Sequence, residues 1–307
     1  MLDIETPIGE QIRKLFNLLT VKYKYYHNEL SEKQHIEFEP VGLNVNSLEQ
    51  IGLVASICYH IQSGLWSASI QALKELLPDT VMDFEDDQNI KNYFSGDEYA
   101  EGEKRKEHFQ KQRNPFILEV LANCMLYCVE VTPNLHLTLK AMNKIHLDSK
   151  IQGLDAAALA STEDLDYYII IGEAKNRETP SQGTAEAFEA FKKHDSGKTW
   201  ADIRQLICIV SDAAQLSDND GVLLSRKLSR KSIWEGKFIY RLTIEHQSAN
   251  PHGGSQFKDF SACTVNVFEA ERRQCESFGT ERLTEFYNKV SQMIVEYIVG
   301  KGKGVIA

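Results

Sequence analysis

The sequence predicts an α/β fold, a mixed central sheet flanked by helices, and three observations carry that prediction. Apolar residues recur at helical spacing in NPFILEVLANCMLYCVEV, residues 114–131, with Pro115 placed near a helix start. Two apolar runs separated by a polar break, Ala156 to Ala160 and Tyr167 to Ile171, outline a β-hairpin. Further strand-like segments and a long amphipathic helix follow the hairpin, so the elements alternate as a helix-flanked sheet requires.

Taken in order, residues 1–30 read as helical, with Ile8, Ile12, Leu15, Phe16 and Leu19 on one face. HIEFEPV, 35–41, reads as a short strand, and Ser47 with Gln50 has the spacing of a capping box that opens a helix through Ile61. Residues 79–103 carry nine acids against the single Lys91 and show no apolar periodicity, which predicts a solvated loop. EKRKEHFQKQR, 103–113, then reverses the sign. The domain boundary is therefore expected between a mostly helical region 1–104, with its acidic segment 79–103, and a second domain 105–307.

LHLTLKAM, 135–142, alternates as a strand and contains Lys140. After the hairpin, a helix is expected from about Ser181, and a second one capped by Thr199. KFIYRLTIEH, 237–246, and FSACTVNVF, 260–268, alternate as strands around the turn-rich SANPHGGSQ. The closing helix runs over FGTERLTEFYNKVSQMIVEYIV, with Leu283, Phe286, Tyr287, Val290, Ile294 and Tyr297 on its apolar side.

The chain's 307 residues can bury a substantial core, and 42% apolar with 25% charged residues is an ordinary globular composition. No apolar run of membrane-spanning length stands out, and the N-terminus lacks a basic start followed by an apolar block. A cytoplasmic protein with no membrane contact is expected. The six cysteines lie in apolar segments without zinc spacing and read as core thiols. A net charge of −10 argues against a free-standing nucleic-acid binder. A chain that acts on nucleic acid would need a partner or local positive charge, for which Arg226, Lys227, Arg230 and Lys231 are candidates. Lys140 and His146 are further candidates for DNA contact.

The chemistry concentrates at the hairpin. If its turn centres near Asp164, Asp155 lies across from Glu173, on one face and about 5 Å apart at Cβ. Lys175 shares that face because side chains alternate along a strand. Two carboxylates that close require a cation or a shared proton. The pattern acid-x-Lys also occurs at Asp148–Lys150 and Glu235–Lys237. Only Glu173-Ala174-Lys175 follows a strongly apolar strand and has an upstream acid positioned to meet it. An exposed salt-bridge cluster is the plain alternative.

Gly153-Leu154-Asp155, followed by Glu173-Ala174-Lys175 at the next strand end, resembles the PD-(D/E)XK nuclease core, with Leu154 where that superfamily usually has proline. KAMNKIHLDSKIQGLDAAAL together with IIIGEAKNR is similar to the HamA nuclease subunits of Hachiman anti-phage systems, over roughly residues 110–295. The resemblance implies a restriction-endonuclease-like core and phosphodiester hydrolysis of DNA. It implies Mg²⁺, with Mn²⁺ as the alternative ion, held by Asp155, Glu173 and the Ala174 carbonyl, with Glu119 as a further ligand. Lys175 would orient water and stabilise phosphoryl charge. It also implies a superfamily-2 helicase partner of the HamB type. A catalytically silent binding subunit and an RNA-cleaving nuclease are the rival readings.

Overall fold

The computed structural model describes residues 2–64, 82–99, 102–142, 155–164, 166–177, 180–201, 204, 234, 236–246, 254–279 and 281–302. Seven strands form one mixed sheet: β1 (Val21–His27), β2 (Lys33–Pro40), β3 (Thr138–Met142), β4 (Ala156–Ser161), β5 (Tyr167–Arg177), β6 (Phe238–His246) and β7 (Arg273–Gly279). Their spatial order is β1-β2-β7-β6-β5-β4-β3. The inner strands β2, β7, β6 and β5 are mutually parallel, and antiparallel hairpin partners extend both edges.

The alternation of β4 and β5 sorts the helices into two layers. Ala156, Ala158, Ala160 and Ile170 face a large core shared with α1 (Ile8–Leu18), α2 (Leu48–Gln62), α3 (Met82–Ser95), α4 (Asn114–Met125) and α6 (Glu281–Gly302). Ala157, Leu159, Ile169 and Ile171 face a smaller core with α5 (Pro180–Asp195), Trp234 and Phe260. The expected boundary at 104/105 therefore falls within one sheet and one core: β2 pairs with β7, and α1 and α2 pack with α4 and α6.

Several elements depart from the sequence reading. The first helix ends at Leu18, and residues 21–27 form an edge strand instead. The acidic stretch is helical over Met82–Ser95, because Ile90 and Phe94, one turn apart, bury against the core. Ser47 caps α2 by accepting the Gln50 amide, but the Gln50 side chain does not reciprocate; its amide nitrogen donates to the Gly42 carbonyl at 2.6 Å. FSACTVNVF is a short helix, Phe260–Cys263, followed by a turn, and the true strand is RQCESFG. The expected helix after Thr199 lies largely outside the described residues. Cys58, Cys124, Cys128, Cys263 and Cys275 are buried free thiols, and Cys208 lies outside the described residues.

Among the described residues, the helical run Glu103–Val131 has the length and composition to cross a bilayer, with mean hydropathy 1.3. That is longer than any run picked out from sequence, because the helix continues from its charged first turns through a π-helical turn, Phe109–Arg113. Of its most apolar window, 83% is buried inside the fold.

Candidate functional site

The hairpin register decides where the site residues fall. Ala156 pairs with Gly172, Ala157 with Ile171, and so on to Ser161 with Tyr167. The same register continued by one residue sets Asp155 opposite Glu173, as a turn centred near Asp164 requires. Gly172 permits this close pairing. A Cβ there would stand 2.8 Å from the Ala156 Cβ and 2.9 Å from its carbonyl oxygen.

Asp155, Glu173 and Lys175 converge. The Lys175 ammonium lies 2.9 Å from Asp155 Oδ2 and 2.5 Å from Glu173 Oε2. The Ala174 amide donates to the same Asp155 oxygen at 2.8 Å. On a strand, the amide and carbonyl of one residue point to the same side. The Ala174 carbonyl therefore opens toward Asp155, at the edge where the β4 pairing ends.

Burial makes the pair of carboxylates costly. The Glu173 side chain is only 8% exposed. Its carboxyl is pushed up to about 7, first by burial and then by the Asp155 charge, with Lys175 offsetting part of the rise. The Lys175 ammonium, although buried, is held well above its usual range by the two acids. The lysine is thus a fixed cation. It has three N–H donors, two of which face the acids.

The donor set fits a hard divalent cation. Two carboxylates and a backbone carbonyl offer only oxygen, and Mg²⁺ is commonly held by one or two carboxylates while keeping several waters. The ammonium already spanning both acids shows that this place accommodates positive charge. Among the described residues, no group of three or more His, Cys, Asp or Glu side chains is arranged to share a metal.

The other predicted residues fall elsewhere. Glu119 is buried in α4, which packs on the opposite sheet face from Glu173 and Lys175, so the structure does not bring it into the cluster. Lys140 is exposed at an irregularity of the β3–β4 pairing, between partners of Ala160 and Leu159. That lies about 13–17 Å along the strand from Asp155. His146, Arg226, Lys227, Arg230 and Lys231 lie outside the described residues.

Three nearby residues escape a motif-based reading. Gly183, in the first turn of α5, lets the helix settle on the strand: a Cβ there would lie 3.1 Å from the Lys175 Cβ and 3.5 Å from the Arg177 Cγ. Arg177 follows Lys175 on the same face and forms a forked ion pair with Glu186 of α5, at 3.1 and 2.5 Å. The signals for them are the glycine within PSQGT, which opens α5, and the basic residue two beyond Lys175, since alternation alone puts residues 173, 175 and 177 on one face. No protein-family model, no curated protein and no solved structure matches this chain.

Proposed function

We propose that the chain is a metal-dependent nuclease that hydrolyses DNA phosphodiester bonds, built on a PD-(D/E)XK-type core. The supporting observation is the hairpin register, which sets Asp155 across from Glu173 with the Lys175 ammonium between them. Asp155, Glu173 and the Ala174 carbonyl would hold Mg²⁺ or Mn²⁺. The chemistry such an ion supplies when bound is polarisation of a phosphoryl oxygen and a more acidic water.

The chain's own residues do the rest. Glu173 must be ionised to hold a cation, and burial pushes its carboxyl up to about 7, so proton and cation compete for it as the pH falls toward neutral and below. Lys175 remains protonated and acts as a donor, not a base. Its ammonium orients the attacking water and stabilises the charge that builds on the phosphoryl oxygens. Asp155 holds the Ala174 backbone, and with it the carbonyl, in place.

The net charge of −10 fits an effector that a partner loads onto DNA. We place the chain in the cytoplasm, in an anti-phage complex with a superfamily-2 helicase that restrains its cutting. The test incubates the protein, alone and with that helicase, with plasmid DNA, single-stranded DNA and RNA in Mg²⁺. Cleavage that Glu173→Ala and Lys175→Ala abolish is the expected result. Identical products from variants and wild type would sink the enzyme reading. The two-carboxylate donor set also suits a silent nuclease-fold subunit, for which no substrate is cut while helicase binding persists.

A further inference from the structure

We propose that Arg177 binds the nucleic-acid backbone phosphate next to the one being cleaved, and that Glu186 holds Arg177 in reserve until the strand arrives. This rests on the nuclease reading of the Asp155–Glu173–Lys175 site and adds a substrate contact and its control.

The placement comes first. Glu173, Lys175 and Arg177 are alternate residues of β5, so all three leave the same sheet face. Gly183 confirms it, because its missing side chain faces both the Lys175 Cβ and the Arg177 Cγ. Two residues along a strand advance about 7 Å, a reach comparable to one nucleotide step along an extended backbone. Lys175 is largely enclosed, whereas the Arg177 side chain is 43% exposed at the strand end. A strand whose scissile phosphate meets Lys175 would pass Arg177 on the way out.

The chemistry comes second. A guanidinium presents a planar fork that matches phosphate as well as it matches carboxylate. Arg177 now uses that fork on Glu186: Nε donates to Oε1 at 3.1 Å and Nη2 to Oε2 at 2.5 Å. Its Nη1 donates to the Asn176 carbonyl at 2.8 Å, which steadies the group without occupying the fork. Both partners are exposed, and exposed ion pairs contribute little to stability. Exchanging Glu186 for a phosphate is therefore inexpensive, while an unpartnered Glu186 would repel the strand. The pair discriminates against weakly delivered nucleic acid in a chain that is already strongly acidic.

The test measures binding of a fluorescein-labelled DNA oligonucleotide to the full chain by anisotropy, in EDTA so that nothing is cut, over a range of NaCl concentrations. Arg177→Ala should weaken binding several-fold and lower the salt slope by about 0.7–0.9, the equivalent of one phosphate contact. Arg177→Lys should keep the slope but lose affinity, because a point charge replaces the fork. Glu186→Gln should bind more tightly than wild type. A purely structural pair would instead shift the thermal melts of Arg177→Ala and Glu186→Gln alike and leave affinity unchanged, which overturns the proposal. If wild type binds and cuts DNA while these variants match it in slope and affinity, the proposal fails and the nuclease reading stands. If wild type neither binds nor cuts nucleic acid even with the helicase present, both fall.

Discussion

The Asp155 carboxylate clips the backbone of Ala174: its Oδ2 accepts the Ala174 amide at 2.8 Å while also facing the Lys175 ammonium. One oxygen thus serves a structural bond and a charged one. Asp155→Asn retains an acceptor for the amide and loses the charge, so it should melt near wild type and lose metal-dependent cleavage. Asp155→Ala should lose cleavage and also about 1–2 kcal/mol of stability, because the amide loses its partner. Urea unfolding and a plasmid-nicking assay on both variants check this.

Lys175→Met leaves Asp155 and Glu173 facing each other without the ammonium. Breaking a largely buried pair this way should cost on the order of 3 kcal/mol at pH 8. The loss should shrink below neutral pH, where Glu173 takes up a proton more readily than before. Added Mg²⁺ should raise the melting temperature of Lys175→Met more than that of wild type, since a divalent ion then supplies the missing positive charge. Equal Mg²⁺ shifts in the two proteins would contradict the assigned cation position.

Gly172→Ala tests the hairpin geometry without touching a charged group. The new methyl would meet the Ala156 Cβ at 2.8 Å and backbone oxygen at 2.9 Å, neither of which is a flexible side-chain end. Overpacking of this kind should cost about 1–3 kcal/mol. Because the strands must separate beside Asp155 and Glu173, cleavage should fall further than stability alone accounts for. Activity measured well below the melting temperature separates the two effects.

Two buried acids, Glu173 and Glu245, contribute to the pH dependence of the folded state. Burial pushes Glu245, on the opposite sheet face from Glu173, up to about 7, with the Tyr287 hydroxyl offsetting part of the rise. Glu173 is likewise raised to about 7. A folded carboxyl with a raised pKa binds protons that the unfolded chain has released. Its contribution is therefore fully present below the unfolded value, declines as pH rises through the window from about 4.5 to 7, and is flat above it. Glu245→Gln should remove its share of that decline, on the order of 3 kcal/mol, and make the protein more stable than wild type at pH 8. Chemical unfolding at pH 5 and pH 8 decides it.

The hairpin and its site are legible in the sequence because its strands are buried on both faces and so read as continuous apolar runs, Ala156 to Ala160 and Tyr167 to Ile171, around a polar break. The acidic pair follows from the turn position alone. Strand β7 is not legible, because most of its buried side chains are polar or charged and only Cys275 and Phe278 join the apolar cores. Gln274 accepts from Arg241 at 2.8 Å, and Glu276 pairs with Arg241 and Thr243, all buried within the sheet layer. A strand that buries Gln and Glu reads as surface, whereas FSACTVNVF alternates in sequence yet exposes Val265 and Phe268. The exposed Lys–Tyr alternation of β1 is hidden for a related reason: an edge strand of this kind lacks an apolar stripe. Helix α3 escapes notice because, among its described side chains, Ile90 and Phe94 alone are buried, too few to set a visible period among so many acids.

The pairing of β2 with β7 also dictates an order of assembly. Ile36 is matched with Gln274 and Phe38 with Glu276, so a strand near the start of the chain finds its inner neighbour near the end. During synthesis, β1 and β2 can close on each other as a local hairpin, but two strands alone are marginally stable in water. They must wait until β7 leaves the ribosome before the sheet is continuous, and contacts of such long range slow folding. In that interval the inner edge of β2 and the chain's central apolar helix are uncovered. The final sheet pairing thus comes after the β4–β5 hairpin has been made, so the candidate site sits on a sheet that becomes continuous only once β7 has been synthesised.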